Sequence, residues 1–255
     1  MSGRGGGTLE IRNLRKSFGG LKATDDVSLT FANGSLTAVI GPNGAGKSTF
    51  FAQLSGALVP DSGQILLDGA DLVGLSRGEI VRRGIGRAFQ VASIFPSLTV
   101  AETLLAAVAV DQRRDGLLHR RFPLAETRDR AQDVMEMVGL QEKARRRAAT
   151  LSHGDQKLLD IALALVLRPK VLLLDEPTAG MGPEERWQMI DKVYDLWQRE
   201  RMTVVFVEHD MDIVFKIARH IVVLCYGRVL AAGTPEEIRR DPAVIEAYLG
   251  TEHAA

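Results

Sequence analysis

Residues 41–48 read Gly41-Pro42-Asn43-Gly44-Ala45-Gly46-Lys47-Ser48, a full match to G-x-x-x-x-G-K-[ST]. This stretch constrains the fold more than any other, because such a loop needs a strand before it and a helix after it. Both are present. Leu36-Thr37-Ala38-Val39-Ile40 reads as a buried strand, and Ser48 to Leu54 opens an amphipathic helix. Glycines let backbone N–H groups curl around phosphate oxygens without a Cβ in the way. The helix N-terminus adds partial positive charge. In that setting Lys47 reaches the outer phosphates and Ser48 ligates Mg²⁺.

The strands downstream have the character of a parallel sheet covered on both faces. Val171-Leu172-Leu173-Leu174, Thr203-Val204-Val205-Phe206-Val207 and Ile221-Val222-Val223-Leu224 are continuous apolar runs rather than alternating ones. A helix opens between the first two with Pro183 as its first residue, and Thr234-Pro235-Glu236-Glu237 caps another. Ser76-x-x-Glu79 and Thr99-x-x-Glu102 carry the capping-box pattern. Upstream, Thr8 to Phe31 reads as short strands separated by turn residues, and Ile65 to Gly69 as a strand and turn. From Ile94 to Thr150 the periodicity becomes helical, as at Val134, Met135, Val138 and Leu140. A basic run, Lys143 to Arg147, follows and reads as a solvated helix end, with membrane lipid or a loop of a partner protein as the alternative contact. The expected fold is α/β: a parallel-sheet phosphate-loop core, N-terminal antiparallel strands and an inserted helical subdomain.

Lysine plus arginine and aspartate plus glutamate balance at 32 each, so no global basic field points to nucleic acid. No apolar run approaches the roughly 18–20 residues of a membrane span. Met1 to Gly7 lacks the apolar core of a signal peptide and reads as a flexible tail. The single cysteine, Cys225, falls in an apolar run and reads as a buried strand thiol. These features point to a reducing, cytoplasmic location.

Four further features narrow the chemistry. The run Leu174-Asp175-Glu176-Pro177 ends a strand in two carboxylates, which suits a metal-side Asp175 and a Glu176 that polarises an attacking water. Ser152-His153-Gly154-Asp155 places small residues at a helix start, a second anion-binding pattern. The chain's own loop is complete, so this one could serve a nucleotide held by another subunit. Gln90 follows Gly84–Phe89 and could touch Mg²⁺ and sense the outer phosphate; taken alone it reads equally as an exposed loop glutamine. His209 follows the strand that ends Phe206-Val207-Glu208, at a strand C-terminus, where ligands bind in open α/β folds.

In this order the residues resemble the ATP-binding cassette (ABC) ATPase family over about residues 8–250. The resemblance implies ATP and Mg²⁺ as ligands. It assigns Phe18 to adenine stacking, and Gly41, Pro42, Asn43, Gly44, Ala45, Gly46, Lys47, Ser48 and Thr49 to the nucleotide. Ser48, Gln90 and Asp175 fall to the metal, and Glu176, His209 and Gln90 to catalysis. Ser152 and Gly154 would contact a nucleotide on the opposite subunit, and Ala179-Gly180-Met181-Gly182 falls where that family carries its D-loop. His153 and Asp155 replace the family's usual glycine and glutamine, Leu158 and Leu163 stand where arginines are common, and Gly182 where aspartate is. The implied domain spans 8–250, with a core at about 8–92 and 155–235, a helical subdomain at about 93–154 and a C-terminal helical segment at 234–250. Family behaviour implies a head-to-tail pair with a second ATPase, identical or different. It also implies membrane permease partners at the cytoplasmic face of the inner membrane and, indirectly, a solute-binding protein.

The finer resemblance is to ATPase subunits of branched-chain amino acid importers. It rests on Ser17–Ala23, Arg83–Gln90, the Ser-x-Gly-Asp signature, Ala179–Met181, and the tail Gly233–Ile238 and Val244–Gly250. Urea or amide uptake, lipid or lipopolysaccharide export, and a soluble mechanical ATPase are the alternatives. A mechanical ATPase usually carries tandem cassettes, a zinc site or long coiled coils, and this chain shows one cassette, one cysteine and no sustained heptads.

Overall fold

The computed structural model describes residues 5–88, 95–111 and 125–252. The first hairpin pairs β1 (Leu9–Phe18) with β2 (Leu21–Phe31) across Gly19–Gly20. These are two long strands, not the short segments that the interspersed polar residues suggest. Their register shifts, and Asn13 and Asp26 take positive φ (47° and 67°), so the polar residues mark irregularities inside a continuous pair. Asn13 Nδ2 donates to Asp26 Oδ1 at 3.1 Å and fastens the distortion.

The chain then enters β3 (Leu36–Ile40) and, past the glycine-rich loop, α1 (Lys47–Leu54). β4 (Ser62–Leu67) and β5 (Ala70–Asp71) complete a four-stranded antiparallel sheet in the order β2-β1-β4-β5. Next come α2 (Arg77–Arg83), β6 (Ile85–Ala88), α3 (Val100–Asp111), α4 (Ala125–Val138) and α5 (His153–Val166). The remainder is β7 (Val171–Asp175), α6 (Pro183–Glu200), β8 (Thr203–Val207), α7 (Met211–Ile217), β9 (His220–Cys225), β10 (Arg228–Gly233), α8 (Pro235–Arg240) and α9 (Pro242–Glu252). A second sheet runs β10-β9-β3-β8-β7-β6, parallel except for the β10 edge.

Strands β3, β7 and β8 are buried at every residue, as their unbroken apolar runs require. Successive side chains point to opposite faces, so neighbours in one strand feed different cores. Leu172, Leu174, Val204, Phe206 and Val223 pack with α4, α5, α6 and α7. Val171, Leu173, Val205, Val207 and Val222 pack with α1 and the antiparallel sheet. Phe50, Phe51 and Leu54 anchor α1 there, each fully buried, and each contributes about 2 kcal/mol. This two-sided clamp fixes the C-terminal ends of β3, β7 and β8 side by side.

Both internal capping boxes form, at Ser76/Glu79 and Thr99/Glu102, and Pro183 begins α6. Three expectations need correction. Gly6 and Gly7 are not a loose tail: their amides donate to Arg201 O and Lys170 O, which fixes these two residues against the parallel sheet. Cys225 ends β9 only partly buried, because that strand's last residue emerges from the sheet. The basic run is solvated only in part: Arg145, Arg146 and Arg147 are exposed, as expected, but the backbone of the run and Lys143 are engaged. Arg146 O and Ala144 O accept the first amides of α3 (Val100 and Ala101), and Lys143 is held by Asp155. Gln90 lies outside the described residues.

Candidate functional site

The loop between β3 and α1 can close only with glycine at two points. A Cβ on Gly41 (φ 151°) would fall 2.1 Å from Leu224 O, and one on Gly46 (φ 97°) 2.1 Å from Ala23 O. Gly46 caps α1, and Phe50 N donates back to its carbonyl at 2.8 Å. Lys47 curls over the loop, donating to Gly41 O at 2.6 Å and Pro42 O at 3.0 Å. Burial lowers its pKa, and the Glu176 charge opposes that shift. The hydroxyl-bearing Ser48 and Thr49 follow on the first turn.

Asp175 is the last residue of β7, and Glu176 steps out of the strand at φ 48°. A non-glycine residue in that conformation is strained by about 1 kcal/mol. It is held by its own amide, which donates to Val207 O at 3.1 Å. His209 Nε2 lies 2.9 Å from Glu176 Oε1, so the ring donates to a carboxylate at the mouth of the loop. Asp175 Oδ2 accepts from Arg87 at 2.7 Å.

Ser152 caps α5 and accepts from Asp155 N at 3.2 Å. Lys143 Nζ reaches both Asp155 oxygens at 2.7 and 2.6 Å. Burial works against the ionised form of Asp155, yet the Lys143 and Ser152 hydrogen bonds outweigh it and hold the carboxyl below its usual range. His153 Nε2 donates to Ala179 O at 3.1 Å, tying the signature loop to the segment after Glu176. Leu158 and Leu163 pack on the core in place of arginine. Phe18, at the end of β1, is 48% exposed, with Lys16 Nζ 5.8 Å from its ring centroid. The structure therefore gathers the phosphate loop, Asp175, Glu176 and His209 at the C-terminal ends of the adjoining strands β3, β8 and β7. Ser152 and Gly154 belong to a separate helix start.

Sequence reasoning passed over four residues here. Glu208 is 5% exposed and accepts from Thr178 N at 3.0 Å and Thr178 Oγ1 at 2.7 Å. Burial raises its pKa against those hydrogen bonds, and the Glu176 charge adds to the rise. Lys157, 2% exposed in α5, has its pKa lowered by burial, against the charges of Asp160, Asp175, Glu176 and Glu208. Arg87 reaches across from β6. Tyr248 of α9 has its hydroxyl pushed up to about 12 by burial, with the Gly41 backbone and Cys225 as neighbours. A buried lysine or glutamate leaves no local pattern, and only the proximity of Glu208 to His209 hinted at a role.

A parallel sheet with a glycine-rich phosphate loop after one strand and an acidic pair ending another defines a P-loop nucleotide-binding protein. The sequence model described as "ABC transporter" matches residues 24–179. That described as "Branched-chain amino acid ATP-binding cassette transporter" matches residues 228–254. The chain belongs to the ABC transporter family, as one of its ATP-binding cassettes. It is 41% identical over 248 residues to the high-affinity branched-chain amino acid transport ATP-binding protein LivG of Salmonella typhimurium, covering 95% of this chain and 97% of that one. Among solved structures, the ADP conformation of MJ1267, an ATP-binding cassette of an ABC transporter, superposes with a TM-score of 0.82 at 30% identity. That match covers 96% of this chain and 99% of the other. The dimeric post-hydrolysis state of the cassette MJ0796, bound to ADP and Pi, matches with a TM-score of 0.73 at 25% identity, over 89% and 98% of the two chains.

Proposed function

We propose that this cassette is the ATP-hydrolysing subunit of a branched-chain amino acid importer, acting on the cytoplasmic face of a membrane through partner permeases. The observation that carries this reading is the match at the C-terminal segment, residues 228–254, together with near end-to-end likeness to LivG. No helix among the described residues is long and apolar enough to cross a membrane, so the transport path falls to other subunits.

In this reading the loop Gly41–Thr49 binds the triphosphate, Lys47 leaves its loop carbonyls for the outer phosphates, and Phe18 stacks the adenine. Glu176, oriented by His209, accepts a proton from the attacking water. Ser152 and Gly154 complete the site of an opposing cassette, so hydrolysis requires two subunits. Gln90 belongs to the same assignment. The donor set fits Mg²⁺. Ser48 and Asp175 offer oxygen only, and a hard ion that keeps several waters takes its other ligands from phosphate. Among the described residues no cluster of three carboxylate, histidine or cysteine groups forms a self-sufficient metal cage, in keeping with an ion delivered with the nucleotide. When bound, that ion neutralises charge on the phosphates. The helical segment at about 93–154 is the proposed docking subdomain.

Tagged Glu176→Gln protein loaded with Mg-ATP, incubated with detergent extracts of its own membranes, tests this. Recovery of polytopic permeases with a second ATPase and a leucine-binding protein is expected. Recovery of soluble partners alone would overturn the importer reading.

A further inference from the structure

Asp175 carries the metal-side role in the proposed site, yet one of its two oxygens is already engaged. Arg87, on β6, donates from one terminal nitrogen to Asp175 Oδ2 at 2.7 Å and from the other to Ser55 Oγ at 2.9 Å. Both charged side chains are nearly buried, at 13% and 11% exposure. The parallel register explains the reach: Arg87 lies opposite Leu173, so Asp175 is two residues further along the adjoining strand and on the same face of the sheet. Ser55 closes the C-terminal end of α1 and itself donates to Phe51 O at 2.9 Å. Arg87 thus bridges the helix behind the phosphate loop and the carboxylate in front of it.

A guanidinium does not lose its proton at any working pH, so this charge is permanent. In a poorly solvated setting a fixed cation in hydrogen-bond contact with a carboxylate opposes the approach of a second cation to that carboxylate. The pair also stabilises the carboxylate on its own, which reduces what any metal gains by binding there.

We propose that Arg87 is a positioning residue that acts as the resident counter-ion of Asp175, competing with Mg²⁺ for that carboxylate and thereby weakening metal binding at the loaded site. This rests on the reading of Asp175 as the metal-side carboxylate. The consequence is turnover: a cassette that bound Mg²⁺ too firmly would retain Mg-ADP, and the Arg87 charge favours release.

The test is a Mg²⁺ titration of trinitrophenyl-ATP fluorescence in the full chain, with Glu176→Gln present throughout to suppress hydrolysis. Arg87→Met should lower the half-saturating Mg²⁺ concentration about tenfold. Arg87→Gln, which keeps a hydrogen-bond donor and loses the charge, should shift the same way and serves if the methionine variant folds poorly. Arg87→Lys keeps the charge but cannot span both Asp175 and Ser55, so it should shift less than either neutral variant; a shift as large as theirs would also count against the counter-ion role. An unchanged or increased Mg²⁺ requirement in both neutral variants overturns the proposal. Asp175→Asn separates the two readings. If it raises the Mg²⁺ requirement while the Arg87 variants do nothing, the counter-ion role fails and Asp175 keeps its metal. If Asp175→Asn has no effect, the metal-side assignment itself fails.

Discussion

Removing the Glu208 side chain should cost more than its position outside the motifs suggests. In wild type its carboxylate accepts from Thr178 N and Oγ1, and Thr178 is itself 3% exposed. Glu208→Ala leaves the Thr178 amide buried without its acceptor, at a cost of about 1–3 kcal/mol, and removes packed methylenes worth about 1 kcal/mol. Relief of a buried charge offsets part of this. The expected loss is about 2–3 kcal/mol. Glu208→Gln keeps an oxygen acceptor for both Thr178 donors, gives up the long 3.3 Å bond from His209 N and drops the charge, so it should fall within about 1 kcal/mol of wild type. For a chain of this size the gap between the two variants corresponds to about 6 °C in Tm. The pH dependence has a definite sign. Glu208 has a folded pKa above its ordinary 4.5, so its contribution to stability is full below that value and is lost as pH rises through the raised one. Glu208→Gln removes that loss, and its stability relative to wild type should improve from acid to neutral pH. Thermal unfolding of the three proteins between pH 4.5 and pH 8 measures all of this. Equal destabilisation by alanine and glutamine, or a flat difference across pH, would refute the reasoning.

Other outcomes follow from the same geometry. Lys47→Ala should weaken ATP binding at least about a hundredfold in equilibrium titrations, because a charge-assisted phosphate contact is lost; affinity at the wild-type level would remove the loop assignment. His209→Ala should leave ATP binding intact and lower kcat by about ten- to a hundredfold, since Glu176 loses its 2.9 Å partner. Unchanged turnover would make that contact structural only. Lys143→Met should destabilise by no more than about 1 kcal/mol, because Lys143 is partly solvated, while Asp155 moves back toward ordinary carboxylate behaviour in an NMR titration. In ultraviolet absorbance titration one tyrosine should ionise near 12 and vanish in Tyr248→Phe. Its raised folded pKa means that its stabilising share persists below pH 10 and disappears as pH climbs through about 12.

The legible parts of this chain were those encoded contiguously. The phosphate loop, the apolar parallel strands and the capping boxes each occupy a few neighbouring residues, and each formed where the pattern placed it. Interactions across long separations were not legible. Arg87 and Asp175 are 88 residues apart, and Thr178 and Glu208 are 30 apart. Nothing local distinguishes such side chains from solvated ones. Within the basic run the arginines are exposed as expected, and only Lys143 departs, because α5 brings Asp155 beside it. The first strands misled because Asn13 and Asp26 resemble turn residues, while the hairpin absorbs them as positive-φ irregularities. The replacement of glycine by His153 in the signature gains a physical account only from the Ala179 carbonyl it reaches.

The claim at the centre is that Gly41–Ser48, Asp175 and Glu176 form one ATP-hydrolysing centre completed by a facing subunit. A crystal structure of Glu176→Gln with Mg-ATP tests it most directly. The account predicts the triphosphate inside the Gly41–Ser48 loop, the metal on Ser48 Oγ, and Ser152 and Gly154 of an opposing cassette against the outer phosphate. A nucleotide bound away from that loop, or a complete site built by one chain alone, would contradict it.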